Sequence, residues 1–122
     1  MTTGSSSWTS PLCSGLPPYL KTIQSSYAVN GYDQVFYAFT LLAKPKTVLE
    51  FGVLGGFSLI SMAAALLDSR EGGNITGFDL CESYPFKHCT FDKVKENITA
   101  CGMDGVCSFY YLDVFKFEPY PI

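Results

Sequence analysis

The residues of this chain best placed to do chemistry form one short cluster, Glu50, Gly52, Gly55, Gly56 and Ser58, followed well downstream by two acids, Asp79 and Asp113. Glycines so close together let backbone pass near a ligand, and a helix starting behind them offers unpaired N–H groups to something electron-rich. The acid two residues before the first glycine would repel a pyrophosphate but could pair with a ligand ammonium. An acid ending a later strand accepts hydrogen bonds from the vicinal hydroxyls of a ribose. The combination points to a nucleoside that carries a positive charge near Glu50.

Glycine spacing narrows the choice. A dinucleotide fingerprint needs G-x-G-x-x-G, and Leu54 and Phe57 stand where its second and third glycines would fall. No Gly-Lys-Ser or Gly-Lys-Thr occurs, so there is no P-loop.

The elements that must position these residues follow from periodicity. Val35, Phe36, Phe39, Leu42 and Ala43 recur at helical spacing from Tyr32 to Ala43, and Lys44-Pro45 stops that helix. Lys46 to Phe51 reads as a short strand, apolar on both faces, of the kind covered by helices on either side in a parallel sheet. Ser58 to about Leu67 is an alanine-rich helix, and Asn74 to Leu80 a second strand that delivers Asp79. Phe91 to Cys101 is a helix ended by Gly102, and Val106 to Tyr111 a third strand leading to Asp113. The succession β, α, β, α, β is half of a doubly wound α/β sheet, and ligands of such sheets bind outside the carboxyl ends of the strands. Glu50 with its glycines, Asp79 and Asp113 all fall at that edge.

Before these elements, residues 1 to 12 are rich in Ser, Thr and Gly and read as a poorly ordered tail. From Tyr19 to about Tyr27 a short helix would place Leu20 and Ile23 on one face. The expected organisation is a flexible tail and lead-in over 1–28 and a single small domain over 29–122.

Composition and charge exclude several classes. Forty-eight per cent of residues are apolar and 16% charged, which argues against disorder. The net charge is −3 with scattered lysines, so no basic stripe marks a nucleic-acid binder. The first residues contain neither a basic leader nor an apolar h-region, and no apolar run approaches a membrane span, so a cytoplasmic location is expected. The five cysteines form no CxxC pair, which favours reduced thiols, and no metal site is read from them. His88, the only histidine, reads as a solvated loop residue; the sequons at Asn74 and Asn97 read as chance. Tyr84 and Phe86, just after Asp79, are the aromatic residues placed to stack on a ligand ring.

Glu50-x-Gly52-x-x-Gly55-Gly56-x-Ser58 resembles motif I of class I S-adenosylmethionine-dependent methyltransferases, and Gly77-Phe78-Asp79 resembles their second motif. Phe78-Asp79-Leu80-Cys81-Glu82-Ser83-Tyr84-Pro85 is similar to the Phe-Asp-x-Phe-Glu-Gly-x-Pro pattern of macrocin-type sugar and antibiotic O-methyltransferases, departing at Cys81 and Ser83. The resemblance covers about residues 32 to 116 and implies a Rossmann-like methyltransferase fold, here a partial doubly wound sheet of about three strands with flanking helices. It implies S-adenosyl-L-methionine as cofactor. Glu50 and the Gly52–Gly56 turn would hold its methionyl part, Ser58 would lie near its carboxylate, Asp79 would bind the ribose hydroxyls, and Asp113 would lie near the adenine amino group. In the family the sheet continues beyond the third strand, and the acceptor side and most catalytic residues lie there. The implied reading is therefore the N-terminal, cofactor-binding half of a methyltransferase acting on a small-molecule acceptor, with no catalytic residue or metal carried over.

Other readings stay open on the residues alone. The glycines would equally serve a close helix-to-sheet crossing in a domain that binds nothing, and each Asp alone fits a loop start. The strand from Lys46 to Phe51 would be an open edge that invites pairing, with a second copy or with a partner chain, in a non-catalytic scaffold. A different nucleotide-binding α/β enzyme would have to tolerate the wrong glycine spacing.

Overall fold

The computed structural model describes residues 15–113 and Lys116. The first twelve residues and the end of the chain after Lys116 lie outside the described residues. The two crossovers between consecutive strands set the architecture. Strand β1 (Thr47–Phe51) pairs in parallel with β2 (Asn74–Asp79), and β2 with β3 (Cys107–Tyr111), in the spatial order β1-β2-β3. Both right-handed crossovers advance the same way across the sheet, so helices α2 (Phe57–Ser69) and α3 (Phe91–Ala100) lie on one face.

That face holds the core. Leu59, Ile60, Ala63 and Ala64 of α2 and Val94 and Ile98 of α3 are buried against Ile75, Cys107 and Phe109. The alanines let α2 lie close, and Gly77 lets it lie closer still: a Cβ there would meet Val53 Cγ2 at 2.9 Å and both Leu59 methyls at 3.0 Å. Thr90 caps α3, its hydroxyl accepting from the Lys93 N–H at 3.1 Å.

The opposite face is bare among the described residues. Phe51, Phe78 and Tyr110 stand in register across the three strands, with ring centroids 5.1 and 6.1 Å apart. Leu49, Phe51 and Tyr110 are each 56% exposed. The strand composition did indicate burial on both sides, but only one side is covered here, because no described helix crosses back over the sheet.

Helix α1 (Tyr32–Ala43) has the predicted bounds. It packs on α2 through Asp33, Tyr37 and Thr40, spaced i, i+4, i+7, with the Tyr37 hydroxyl donating to Asp68 Oδ2 at 2.6 Å. The apolar stripe instead points outward, leaving Phe39 70% and Leu42 79% exposed.

The lead-in is part of the body. A 3-10 turn at Pro18–Thr22 buries Leu20 completely, and Ile23 follows it into the core. The Gly15 N–H reaches Asp68 Oδ2 at 2.8 Å. No described helix is long and apolar enough to cross a membrane.

Candidate functional site

The turn from β1 to α2 is built from conformations that favour glycine. Gly52 and Gly56 adopt φ of 86° and 104°, and Leu54 between them adopts φ of 57°, a left-handed backbone that a leucine takes up only against steric resistance. Gly56 is the N-terminal cap residue of α2. Gly55 is small for another reason: a Cβ would come within 2.9 Å of Ile23 Cγ2, so the lead-in closes on the turn only because no side chain is present.

Asp79, at the end of β2, shapes this turn. Its Oδ2 accepts from the Val53 N–H at 2.5 Å and the Leu54 N–H at 2.8 Å, and its Oδ1 accepts from the Cys81 N–H at 2.8 Å. The Gly52 N–H donates to the Phe78 carbonyl at 2.8 Å, closing the same junction. A carboxylate offers about four lone-pair sites, and these contacts use three of them.

Glu50 lies behind the turn. One oxygen accepts a short hydrogen bond from the Ser58 hydroxyl, whereas Oε1 is buried with no partner among the described residues. Burial pushes its carboxyl up to about 7, the Ser58 bond pulls it down, and the Asp79 charge raises it again.

A cleft of about 460 Å³ opens at the carboxyl ends of β1 and β2, between Phe51, Gly52, Leu54, Phe78, Asp79 and Leu80, with Tyr84, Lys87 and His88 on the loop above it. Gly52 and Asp79, of the residues predicted from sequence, line this cleft. Gly55 lies on its far side, and Glu50, Gly56 and Ser58 sit beneath the turn. Asp113 follows β3, with its carboxylate 3.9 Å from the Lys116 ammonium, and is not among the lining residues. Tyr84 borders the cleft, while Phe86 projects outward, 72% exposed, with its ring edge-on to Tyr84. His88 is exposed as read from sequence, yet it borders the cleft; its Nδ1 lies 2.9 Å from the Phe86 carbonyl, an acceptor, which makes Nδ1 the protonated nitrogen.

Sequence reading missed Leu54, Leu80 and Lys87 as lining residues, and it missed Asn97. Asn97 of α3 is buried; its amide donates to the Gly55 carbonyl at 2.9 Å and its Oδ1 accepts from the Tyr19 hydroxyl at 3.3 Å. A side chain so engaged is no glycan acceptor. Four described cysteines are free, and burial pushes the Cys81 thiol to about 12. No group of three or more His, Cys, Asp or Glu able to hold a metal ion occurs among the described residues.

No protein-family model matches the chain, and no curated protein matches it. Solved structures do. The S-adenosylhomocysteine-bound methyltransferase PaMTH1 of Podospora anserina superposes with a TM-score of 0.63 at 14% identity, covering 95% of this chain and 54% of its own. The O-methyltransferase TomG of Streptomyces achromogenes, solved with S-adenosylmethionine, superposes at 0.62 with 14% identity over 88% of this chain and 48% of its own. An O-methyltransferase of Bacillus cereus in complex with S-adenosylhomocysteine gives 0.58 at 19% identity over 86% and 44%. The chain has a Rossmann-like methyltransferase fold. The methyltransferase fold is present here over about half the length of these structures, and its glycine turn, Asp79 and cleft occupy the strand-end edge where open α/β sheets bind ligands.

Proposed function

We propose that the strand-end cleft binds S-adenosyl-L-methionine and that the chain is the cofactor-binding half of a methyltransferase acting on a small-molecule acceptor, with oxygen as the methylated atom. The observation that carries this reading is Glu50: a buried carboxylate with one unpartnered oxygen, directly behind a glycine turn, fits a ligand ammonium. The three superposed methyltransferases, all crystallised with the cofactor or its product, support the same reading.

The bound cofactor would supply an electrophilic methyl on a sulfonium. Glu50, oriented by Ser58, would hold the ammonium of the methionyl part, the Gly52 turn would admit that part against backbone, and Asp79 would take a ribose hydroxyl on its remaining lone pair. Asp113, at the next strand end, would stand nearer the adenine. Leu54 and Phe78 supply apolar walls to the cleft. This half would fix the methyl donor, and alignment with the acceptor is what the transfer then requires. The pattern from Phe78 to Pro85 favours a sugar or antibiotic acceptor.

Calorimetric titration with S-adenosylhomocysteine tests the reading. Saturable micromolar binding is expected, abolished in Asp79→Ala while a thermal melt shows the variant still folded; full binding in folded Asp79→Ala would overturn it. A second reading, a non-catalytic scaffold pairing through the open β1 edge with a second copy or a partner chain, is favoured by the exposed Leu49 and Phe51 and by the outward stripe of α1. It predicts a stable oligomer without cofactor, and a monodisperse monomer in light scattering would count against it.

A further inference from the structure

Behind the glycine turn lies a second cleft of about 480 Å³ that the cofactor reading does not use. Leu54 is the wall between the two clefts, and Lys87 and His88 border both. The second cleft is bounded by Tyr19 and Thr22 of the lead-in, by Lys87 and His88 of the loop, and by Lys93 and Asn97 of α3. No carboxylate lines it among the described residues, although the chain is net acidic. Two of its lysines and its only histidine meet at one concavity.

The wall is built. Asn97 is the buried anchor, bonded to the Gly55 carbonyl on one side and to the Tyr19 hydroxyl on the other. The Lys93 ammonium stands above its ordinary range, held first by Glu96 at 2.7 Å and then by the Tyr19 hydroxyl. The Lys93–Glu96 pair is exposed on both sides, so it holds the ammonium only weakly and leaves it able to turn to a ligand. Glu82 is occupied by the Phe91 N–H at 2.8 Å and sits near His88 without lining the cleft.

We propose that this second cleft binds a small oxyanion, a phosphate or a carboxylate carried on a small molecule, at a site separate from the cofactor cleft. Its volume suits a small organic molecule more than a bare ion. Lys87 and Lys93 supply the charge, and Gly55 joins the floor of the cleft to the turn that frames the first one, while the Tyr19 and Thr22 hydroxyls donate to Asn97 Oδ1 and to the Tyr19 carbonyl and serve only to fix the wall. The assignment holds whether or not the first cleft takes the cofactor.

Amide chemical shifts of the whole chain, followed while inorganic phosphate or, separately, acetate is added at constant ionic strength, test it. Saturable millimolar shifts are expected at Gln24, Gly55, Lys93 and the Asn97 side chain, the tighter anion naming the group the natural ligand carries. Affinity should fall at least tenfold in the Lys87→Ala/Lys93→Ala variant and stay within twofold in Lys95→Ala. Shifts that never saturate, or that are equal in both variants, overturn the site. Displacement of the anion by S-adenosylhomocysteine would instead make the cleft part of the cofactor site and overturn its separateness.

Discussion

On one face of the sheet Ile75, Cys107 and Phe109 lie beneath α2 and α3 with little exposure; on the other, Leu49, Phe51 and Tyr110 are each more than half exposed. The same three strands supply both sets, and the bare face is no less aromatic than the covered one. Apolar content therefore marks a strand as suited to burial, but the crossover direction decides which face this stretch of chain covers.

The largest test of that contrast is a pair of truncations. Leu59→Ala, on the covered side, should lower stability in chemical denaturation by about 2–5 kcal/mol, the usual cost of a cavity in a packed core. Phe51→Ala, half exposed, should cost under about 1 kcal/mol. Equal losses would mean that something covers the bare face in solution.

Glu50 sits on the covered side and sharpens the contrast through pH. Its folded carboxyl lies near 7 against an ordinary 4.5, so the folded protein holds a proton that the unfolded chain has released across that window. Stability from this group is full below about 4.5 and falls by roughly 1–3 kcal/mol as pH rises to 7. Glu50→Gln should flatten the profile. By the same linkage, S-adenosylhomocysteine binding should tighten from pH 6 to 8 in the natural chain and lose that dependence in Glu50→Gln, which titrations across the range would read.

The smallest effect concerns α1, whose stripe faces outward. Lys44 ends that helix at φ of 51° in the open, and Lys44→Gly should raise stability by about 0.5–1 kcal/mol in a thermal melt. A loss would mean that the lysine makes a contact worth more than the backbone strain.

Local signals made much of this legible. The bounds of α1 follow from its apolar spacing and from Lys44-Pro45, and the strand ends follow from Gly52 and Asp79. Boundaries depend on neighbouring residues, which a sequence displays directly. The outward face of α1 was illegible because its contacts are long-range, the Tyr37–Asp68 bond among them spanning 31 residues. Asn97 was illegible for the same reason, with partners 42 and 78 residues away. Leu54 escaped notice because an ordinary leucine gives no sign of a left-handed backbone.

The glycine turn takes its shape from Asp79, which the chain delivers 26 residues after Val53. With that bond as its frame, we expect such a turn to be finished only when β2 docks beside β1. We expect the Val53 and Leu54 amides to gain protection in pulsed hydrogen exchange together with β2 and never before it, and earlier protection would refute this order. The loop at the mouth of the cleft would thus mature late during refolding, as a product of strand pairing rather than a seed for it.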